Sequence, residues 1–234
     1  KEYTSEPHEA FIKIDNKPML DYVITAVKNA KTTSKVTVVG PKKEIKTTLN
    51  HEVQSIVGSG KSMVENIQEG IKKLNPQNYV LIMSSDIPLI TKDIIDTFIR
   101  FCEDKQADIY YPIIPKQVNL NKFPDIKRTY VRLAEGTFTG GNMIVIKPEI
   151  LEDALEWFEK VVAWRKKPWK LSQLLGIKFI FKFIFGRLSL DEIEDRVTEL
   201  IGYKGLGLIV DDPEVGFDVD KPSDLELMQE KYIS

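Results

Sequence analysis

One strand and the turn after it constrain the fold of this chain more than any other feature. Five consecutive apolar residues, Tyr79 to Met83, lead directly into the turn Ser84-Ser85-Asp86-Ile87-Pro88. A run this apolar predicts a strand covered on both faces, as in α/β proteins. Ligands of such sheets bind beyond the carboxyl ends of the strands, where Asp86 stands, and Pro88 makes the turn rigid. The alternative is that Asp86 only caps the turn.

The spacing of apolar residues elsewhere alternates between helix and strand periods, which predicts parallel strands joined by crossover helices. The pattern loosens after Ile114, and the stretch from there to Ile146 indicates a small mixed or antiparallel subregion, whereas residues 151–202 carry only helical signals. We expect an α/β fold with a mostly parallel sheet and helices on both faces. It would form one domain over 1–234 with a helical insertion at about 151–202. The predicted elements are helices at Met19–Ala30 and after Ser62, Thr91, Ser189 and Pro222, and strands at Lys35–Gly40, Val53–Val57, Ala107–Ile114, Arg128–Leu133, Met143–Ile146, Leu206–Val210 and Phe217–Val219.

The charge balance limits the classes of ligand. Lysine and arginine number 33 against 35 aspartate and glutamate residues, so any charge recognition must be local. We expect a small-molecule partner and no nucleic acid. The single cysteine, Cys102, lies in an apolar helical pattern that indicates a buried, unreactive thiol. The two histidines, His8 and His51, favour neither a zinc cluster nor a Ser-His-Asp site.

A glycine-rich loop, Gly58-Ser59-Gly60-Lys61-Ser62, joins a predicted strand to a predicted helix. Glycines at this place let a ligand approach the backbone, and the amides of a helix N-terminus favour an anion or a base edge. The loop lacks the spacing of a Walker phosphate loop, and an ordinary tight turn accounts for it equally well.

Further carboxylates stand near the end of the chain. Strand alternation after Phe217 would send Asp218 and Asp220 to the same face. Asp224 falls in the first turn of the last predicted helix, where the helix dipole accounts for it. Because Mg²⁺ binds few protein carboxylates together with phosphate oxygens, Asp86 with one of the first two aspartates would suffice.

Five segments, taken in order along the chain, resemble the nucleotidyltransferase superfamily that includes the sugar-1-phosphate nucleotidyltransferases and the MobA-like NTP transferases. Ser85-Asp86-Ile87-Pro88-Leu89-Ile90 resembles its metal-binding Asp-x-Pro-Leu turn, and Gly58–Ser62 stands where its members read the base. Asp218-Val219-Asp220-Lys221-Pro222-Ser223-Asp224-Leu225 resembles a C-terminal segment whose second aspartate binds the metal, which favours Asp220 over Asp218. The other two segments are Lys17-Pro18-Met19-Leu20 and, on the acceptor side, Thr139-Gly140-Gly141-Asn142.

The resemblance implies a GT-A or Rossmann-like fold and a Mg²⁺-dependent enzyme. Such an enzyme transfers a nucleoside monophosphate from a nucleoside triphosphate (NTP) to a phosphorylated small-molecule acceptor and releases pyrophosphate. The resemblance also implies that Asp86 and Asp220 are the catalytic, metal-binding residues. The residues implied to bind the nucleotide and the acceptor are Gly58, Gly60, Lys61, Ser62, Gly140, Gly141 and Asn142.

Two departures from the family pattern favour other interpretations. Glu9 occupies the place of a lysine that meets phosphate, and its charge would repel a triphosphate unless a metal or Lys13 intervenes. The family also begins with a strand and a Gly-Gly-x-x-x-Arg loop, so we expect an N-terminal stretch to be missing from this sequence.

One alternative to the nucleotidyltransferase is a degenerate nucleotide-sensing protein. Another is a nucleotide-sugar-dependent glycosyltransferase, which Ser84-Ser85-Asp86 in place of Asp-x-Asp disfavours.

The most apolar part of the predicted insertion is residues 171–187. Its run Phe179–Phe185 is interrupted by Lys182 and is far shorter than the roughly 20 residues that span a bilayer, so we expect a soluble, cytoplasmic protein. We interpret the segment as a helix that closes over an acceptor cleft or packs in a homodimer. The alternative is a helix on a membrane surface, in contact with a lipid-linked acceptor.

Overall fold

The computed structural model describes residues 6, 8–49, 51–164 and 176–231, and in them helices surround a six-stranded sheet and two separate strand pairs. This confirms the expected α/β class. The strands are β1 (Lys13–Ile14), β2 (Lys17–Pro18), β3 (Thr37–Gly40), β4 (Ser55–Gly58), β5 (Val80–Met83), β6 (Ile109–Pro115), β7 (Val131–Arg132), β8 (Thr137–Gly140), β9 (Met143–Ile146) and β10 (Gly205–Ile209).

The large sheet runs in the order β5-β9-β6-β8-β7, and β10 pairs with the other edge of β6. We expected mostly parallel pairing. Parallel pairs are found between β3 and β4 and between β6 and β10, whereas the other described pairs are antiparallel. The reason is that β8 and β9 follow one another along a single edge of β6, and both run opposite to it.

The helices correspond to the apolar periods of the sequence, with two short additions at 42–48 and 116–122 that the sequence analysis did not predict. Thr91 and Ser189 accept the backbone N–H groups of the third helical residue, as N-caps do. The helices are α1 (Met19–Asn29), α2 (Lys42–Thr48), α3 (Met63–Leu74), α4 (Lys92–Glu103), α5 (Lys116–Lys122), α6 (Ile150–Asp153), α7 (Leu155–Trp164), α8 (Ile177–Ile184), α9 (Leu190–Ile201) and α10 (Pro222–Lys231), with 3₁₀ turns at Glu9–Phe11 and Pro213–Gly216.

Two predicted strands differ from the structure. The strand at Arg128–Leu133 is confined to β7, and the strand predicted at Phe217–Val219 is wrong. The N–H of Phe217 bonds to Glu214 and that of Val219 to Asp86, so neither joins a sheet ladder. Burial still alternates along this segment, with Phe217 and Val219 in the core.

The largest core cluster lies between α1, α4 and the sheet. Cys102, on α4, belongs to it and is buried as predicted. Burial, together with the nearby charge of Glu103, raises the pKa of the Cys102 thiol to about 12, so the thiolate that reacts is suppressed at neutral pH.

The segment predicted as a helical insertion contains α7, α8 and α9 and most of α6, and residues 165–175 within it lie outside the described residues. The helix predicted after Ser189 begins with a capping box, since the Ser189 hydroxyl accepts from the N–H of Glu192 while the Glu192 side chain accepts from the N–H of Ser189. Within the described residues, no helix combines the length and the apolar composition that crossing a bilayer requires.

Candidate active site

Three acidic side chains from distant parts of the sequence meet at one point. Glu9, Asp86 and Asp220 each bring a carboxylate oxygen to within 4.8 Å of the others. Carboxylates this close repel one another unless a cation or a proton intervenes. Oxygen ligands in this number and spacing fit a hard divalent cation such as Mg²⁺. Both aspartates predicted to bind the metal are in this group, and their role as ligands stays a prediction.

Asp86 lies in the turn that follows β5. The Ser84 hydroxyl donates to its carboxylate, and the N–H of Ser84 donates to the carbonyl oxygen of Asn142 at 3.0 Å. Ile87 and Pro88 behind it are buried, and the N–H of Ile90 closes the turn on the Ile87 carbonyl at 3.1 Å. The carboxylate is therefore positioned by a rigid corner.

Backbone hydrogen bonds before and after Asp220 fix its position. On one side, Val219 donates its N–H to the Asp86 carbonyl at 3.0 Å. On the other, the Asp224 carboxylate accepts the N–H groups of Asp220 and Lys221 at 3.1 and 3.0 Å. Asp224 thus caps the start of α10, as its place in the sequence suggested.

Glu9 begins the first 3₁₀ turn of the described chain. Two residues later Phe11 is buried among Leu20 and Ile24 of α1, which fixes this turn against the helix. The family resemblance placed Glu9 at a phosphate position and did not indicate that it meets Asp86 and Asp220. No local signal in the sequence indicates this contact, because it depends on how the three segments pack.

One core cluster lies beneath all three carboxylates. Ile12, near Glu9, packs in the same cluster as Phe217 and Val219, which flank Asp218, and Leu89 of the Asp86 turn packs against it. Burial of these apolar side chains therefore positions the acidic groups, and the free energy of packing offsets their repulsion.

The environment of Asp86 disfavours its charged form. Burial raises the pKa of the Asp86 carboxyl above its ordinary value, and the charges of Asp218 and Asp220 act in the same direction. The hydrogen bond from Ser84 acts against this rise. A bound cation would favour the ionised form of Asp86. The electrostatics of the site therefore favour a bound metal ion.

The Gly140-Gly141-Asn142 segment links β8 to β9 beside the Asp86 turn. Gly141 donates its N–H to Pro112 at 3.0 Å, and a Cβ atom there would lie 2.6 Å from a Val215 methyl carbon. Asn142 donates its N–H to the Val215 carbonyl at 2.8 Å and its side-chain amide to the Gly216 carbonyl at 3.2 Å. The glycine therefore permits a close backbone approach, and the asparagine joins this segment to the loop that leads to Asp220.

Arg128 is a residue that the sequence analysis did not identify as part of this region. Its guanidinium forms an ion pair with Asp218 and donates to the Gly140 carbonyl at 3.2 Å. The side chains of Arg128 and Asp218 are 14% and 23% exposed, so the pair is largely shielded from water. Arg128 thereby connects the Gly140 segment to the Asp220 segment.

The Gly58–Ser62 loop is exposed and joins β4 to α3. Its hydrogen bonds are to the helix that it precedes. The Gly60 N–H donates to the Asn66 side chain at 2.6 Å, the Lys61 N–H to the Glu65 carboxylate at 2.6 Å, and the Ser62 hydroxyl accepts from the Glu65 N–H at 3.1 Å. The amides that we expected to meet a ligand are thus bonded to side chains of α3.

Solved structures resemble this chain over nearly its whole length. A hypothetical transferase from Thermus thermophilus is 34% identical, with a TM-score of 0.81 over 93% of this chain and 90% of that one. CMP:2-keto-3-deoxy-manno-octonic acid synthetase complexed with CTP is 13% identical, with a TM-score of 0.60 over 97% and 93% of the two chains. The 4-diphosphocytidyl-2C-methyl-D-erythritol synthase of Anaerococcus prevotii is 12% identical, with a TM-score of 0.60 over 97% and 90%.

At their low identities, the two synthases show a shared fold alone. No curated protein sequence matches the chain. The family model described as the MobA-like NTP transferase domain matches residues 5–172, which include Glu9, Asp86 and the two glycine-rich segments. With this match and the 34% identity to the Thermus thermophilus transferase, the chain belongs to the family of MobA-like NTP transferase domains.

Proposed function

We propose that this chain transfers a nucleoside monophosphate from a nucleoside triphosphate to a phosphorylated small molecule and releases pyrophosphate. Family membership supports nucleotidyl transfer in general. The observation that carries the specific proposal is the meeting of Glu9, Asp86 and Asp220 within 4.8 Å beside the carboxyl end of β5. Ligands of α/β proteins bind at such strand ends.

The three carboxylates would bind one Mg²⁺ ion. Bound there, the ion would orient the triphosphate and neutralise charge that develops on its oxygens. The work of this chain's own residues is positioning, since nucleotidyl transfer needs an acceptor oxygen in line with the α-phosphorus. The turn at Ser84–Pro88 fixes Asp86, and the Val219 and Asp224 hydrogen bonds fix Asp220.

Glu9 supports catalysis in this arrangement. In place of a phosphate-binding lysine it would repel the nucleotide, but as a third metal ligand its negative charge is matched by the cation. This interpretation favours an enzyme over the degenerate sensing protein.

We assign the nucleotide base to the Gly58–Ser62 loop and the acceptor to the side of Gly140, Gly141 and Asn142. When the base binds, Gly60 and Lys61 would exchange their present hydrogen bonds to Asn66 and Glu65 for bonds to the nucleotide.

We also propose that residues 1–234 form one domain in which 151–202 is an insertion.

Pyrophosphate release tests the proposal. The chain is incubated with each of the four ribonucleoside triphosphates, a set of sugar phosphates and other phosphorylated acceptors, and Mg²⁺. We expect pyrophosphate with one triphosphate and one acceptor class, and a rate lower by at least about 100-fold for Asp86→Asn. Asp104→Asn, an exposed carboxylate at the end of α4, is the matched control and should retain the wild-type rate.

The alternatives predict other products. Nucleotide binding without pyrophosphate release in any combination would contradict the proposal and favour the sensing protein. Release of a nucleoside diphosphate from a nucleotide sugar would contradict it in favour of a glycosyltransferase.

A further inference from the structure

The solvent side of α8 carries four large apolar side chains. Ile177, Phe181, Ile184 and Phe185 are 69%, 57%, 67% and 66% exposed. At about 100° per helical residue the first three project within one narrow sector, and Phe185 follows directly after the helix. We call these four residues the apolar face of α8. A soluble protein rarely exposes so much contiguous apolar surface without a partner for it.

The opposite side of α8 is fixed to the protein. Phe179 packs in the cluster formed by Leu133, Phe138 and Leu188. Lys182 forms an ion pair with Glu192 of α9. The apolar face is therefore presented to solvent by a helix with defined contacts.

The end of α8 is also specified. Gly186 has a φ of 61°, a conformation that glycine adopts readily. Its N–H donates to the Phe183 carbonyl at 3.0 Å, and that of Arg187 donates to the Lys182 carbonyl at 2.7 Å. These two bonds form a Schellman motif, which terminates the helix just after the apolar face.

Positive charge borders the apolar face. Lys178 and Lys182 lie on one flank of the helix, and Arg187 follows its end. The chain as a whole has a net charge of −2, yet the sequence from 161 to 187 contains no aspartate or glutamate. The first acidic residue after the helix is Asp191. The cationic residues of this stretch are Arg165, Lys166, Lys167, Lys170, Lys178, Lys182 and Arg187.

We propose that the apolar face of α8 docks onto an anionic membrane surface. An apolar helix face bordered by cations is the pattern of helices that lie in the bilayer interface. The phenyl rings of Phe181 and Phe185 would enter the boundary between headgroups and acyl chains. The long stem of Lys178 would let its ammonium group reach the lipid phosphates, while Lys182 stays in its ion pair with Glu192.

A second copy of this chain fits the same face less well. Two-fold pairing of the face would bring Lys178 and Arg187 of both copies together, and the sequence from 161 to 187 offers no carboxylate to neutralise them. An anionic bilayer satisfies both the apolar and the cationic groups. The proposal concerns a surface outside the carboxylate site and does not depend on the proposed activity.

Vesicle flotation with the full chain tests the proposal. The vesicles contain phosphatidylcholine alone or phosphatidylcholine mixed with phosphatidylglycerol. We expect the chain to bind the mixed vesicles, with an affinity at least about tenfold higher than for phosphatidylcholine alone. Added salt should weaken the binding to the mixed vesicles. The double substitution Phe181→Ser/Phe185→Ser should abolish binding, and Lys178→Glu should weaken it. Phe101→Ser, which replaces a phenylalanine 44% exposed on α4, is the matched control and should bind as the wild type does.

Thermal unfolding of each variant shows whether it is folded. Undiminished binding by the folded double variant, or equal binding to both vesicle types, would overturn the proposal. A dimer that requires Phe181 and Phe185, in a chain that binds no vesicles, would overturn it in favour of a second copy.

Discussion

Val219 donates its backbone N–H to the carbonyl oxygen of Asp86 at 3.0 Å. The residue after Val219 is Asp220, so this bond connects the backbones of the two aspartates that we assign to the metal. Neither residue is part of a sheet ladder at this point. The candidate site therefore depends on a turn and an irregular segment that pack on the same core.

Substitutions of Glu9 test whether this residue is a metal ligand or stands in the place of a lost phosphate contact. We expect Glu9→Lys to lower the rate of pyrophosphate release by at least about 100-fold, because it places a cation where the metal would bind. Glu9→Gln keeps one oxygen ligand and should lose about tenfold. Steady-state rates at several Mg²⁺ concentrations measure both changes. Glu44→Lys, at an exposed position of α2, is the control for the change of charge.

If Glu9 instead marks the degeneration of a phosphate site, the same substitution acts in the opposite direction. A faster Glu9→Lys enzyme would contradict the assignment of Glu9 to the metal.

Arg128 is expected to act as a positioning residue. Arg128→Ala leaves the carboxylate of Asp218 without its ion-pair partner and should lower the free energy of unfolding by about 2 kcal/mol. It should also raise the Mg²⁺ concentration needed for half-maximal activity, because the segment that carries Asp220 loses its link to Gly140 through Asp218 and Arg128. Arg128→Lys should retain part of the stability and part of the Mg²⁺ affinity that Arg128→Ala loses. Denaturant unfolding and Mg²⁺ titration of activity are the measurements.

The matched control for Arg128 is an ion pair on the surface. Lys160→Ala removes the exposed pair with Glu156 and should change stability by less than about 1 kcal/mol. An Arg128→Ala enzyme that loses stability but keeps the wild-type Mg²⁺ requirement would show that the arginine is only structural.

The hydrogen bonds of the Gly58–Ser62 loop predict an effect on nucleotide affinity. Asn66→Ala frees the N–H of Gly60, which is now bonded to the asparagine side chain at 2.6 Å. We expect the KM for the triphosphate to fall by about two- to fivefold with kcat unchanged, since the loop no longer exchanges this bond on binding. Asn121→Ala, an exposed asparagine of α5, is the control. A rise in KM would show that Asn66 itself contacts the nucleotide.

The raised pKa of Asp86 predicts how stability depends on pH without metal. Burial raises this pKa, so the folded protein binds the proton more tightly than the unfolded chain does. The contribution of Asp86 is therefore most favourable below its ordinary value of 3.8 and falls as pH rises through the raised pKa. In EDTA, Asp86→Asn should become progressively more stable than the wild type across this window, as measured by denaturant unfolding.

Asp96 is a control of opposite sign. Hydrogen bonds from Thr32 and from the backbone of Lys31 lower the pKa of the Asp96 carboxyl, so its stabilisation is lost as pH falls through that lowered pKa.

For Asp86→Asn, added Mg²⁺ should remove the gain in stability over the wild type that is expected in EDTA. A constant difference between that variant and the wild type across pH would contradict the assigned shift.

Local features of the sequence predicted local features of the structure. The capping box at Ser189, the apolar period of α4 around Cys102 and the turn after β5 each depend on residues within a few positions of one another. The strand predicted at Phe217–Val219 failed because a strand needs a ladder partner, and alternation of burial alone does not supply one.

Contacts between distant segments were only partly predictable. The family resemblance placed Asp86, Asp220 and Glu9 near the bound nucleotide, but the contact of Glu9 with the two aspartates and the place of Arg128 depend on tertiary packing. The sequence alone does not distinguish Arg128 from Arg132, which lies four residues later and closer to the glycine-rich segment. The antiparallel share of the sheet likewise depends on which edge of β6 the later strands follow.

Binding of Mn²⁺, measured by electron paramagnetic resonance as a substitute for Mg²⁺, tests whether Glu9, Asp86 and Asp220 form one metal site. In the presence of the triphosphate that supports turnover, the wild-type chain should bind a single tight Mn²⁺ ion. Glu9→Gln, Asp86→Asn and Asp220→Asn should each weaken that binding by at least about tenfold, while Asp104→Asn should not. Wild-type Mn²⁺ affinity in a folded Asp86→Asn or Asp220→Asn chain would show that these aspartates do not bind the metal.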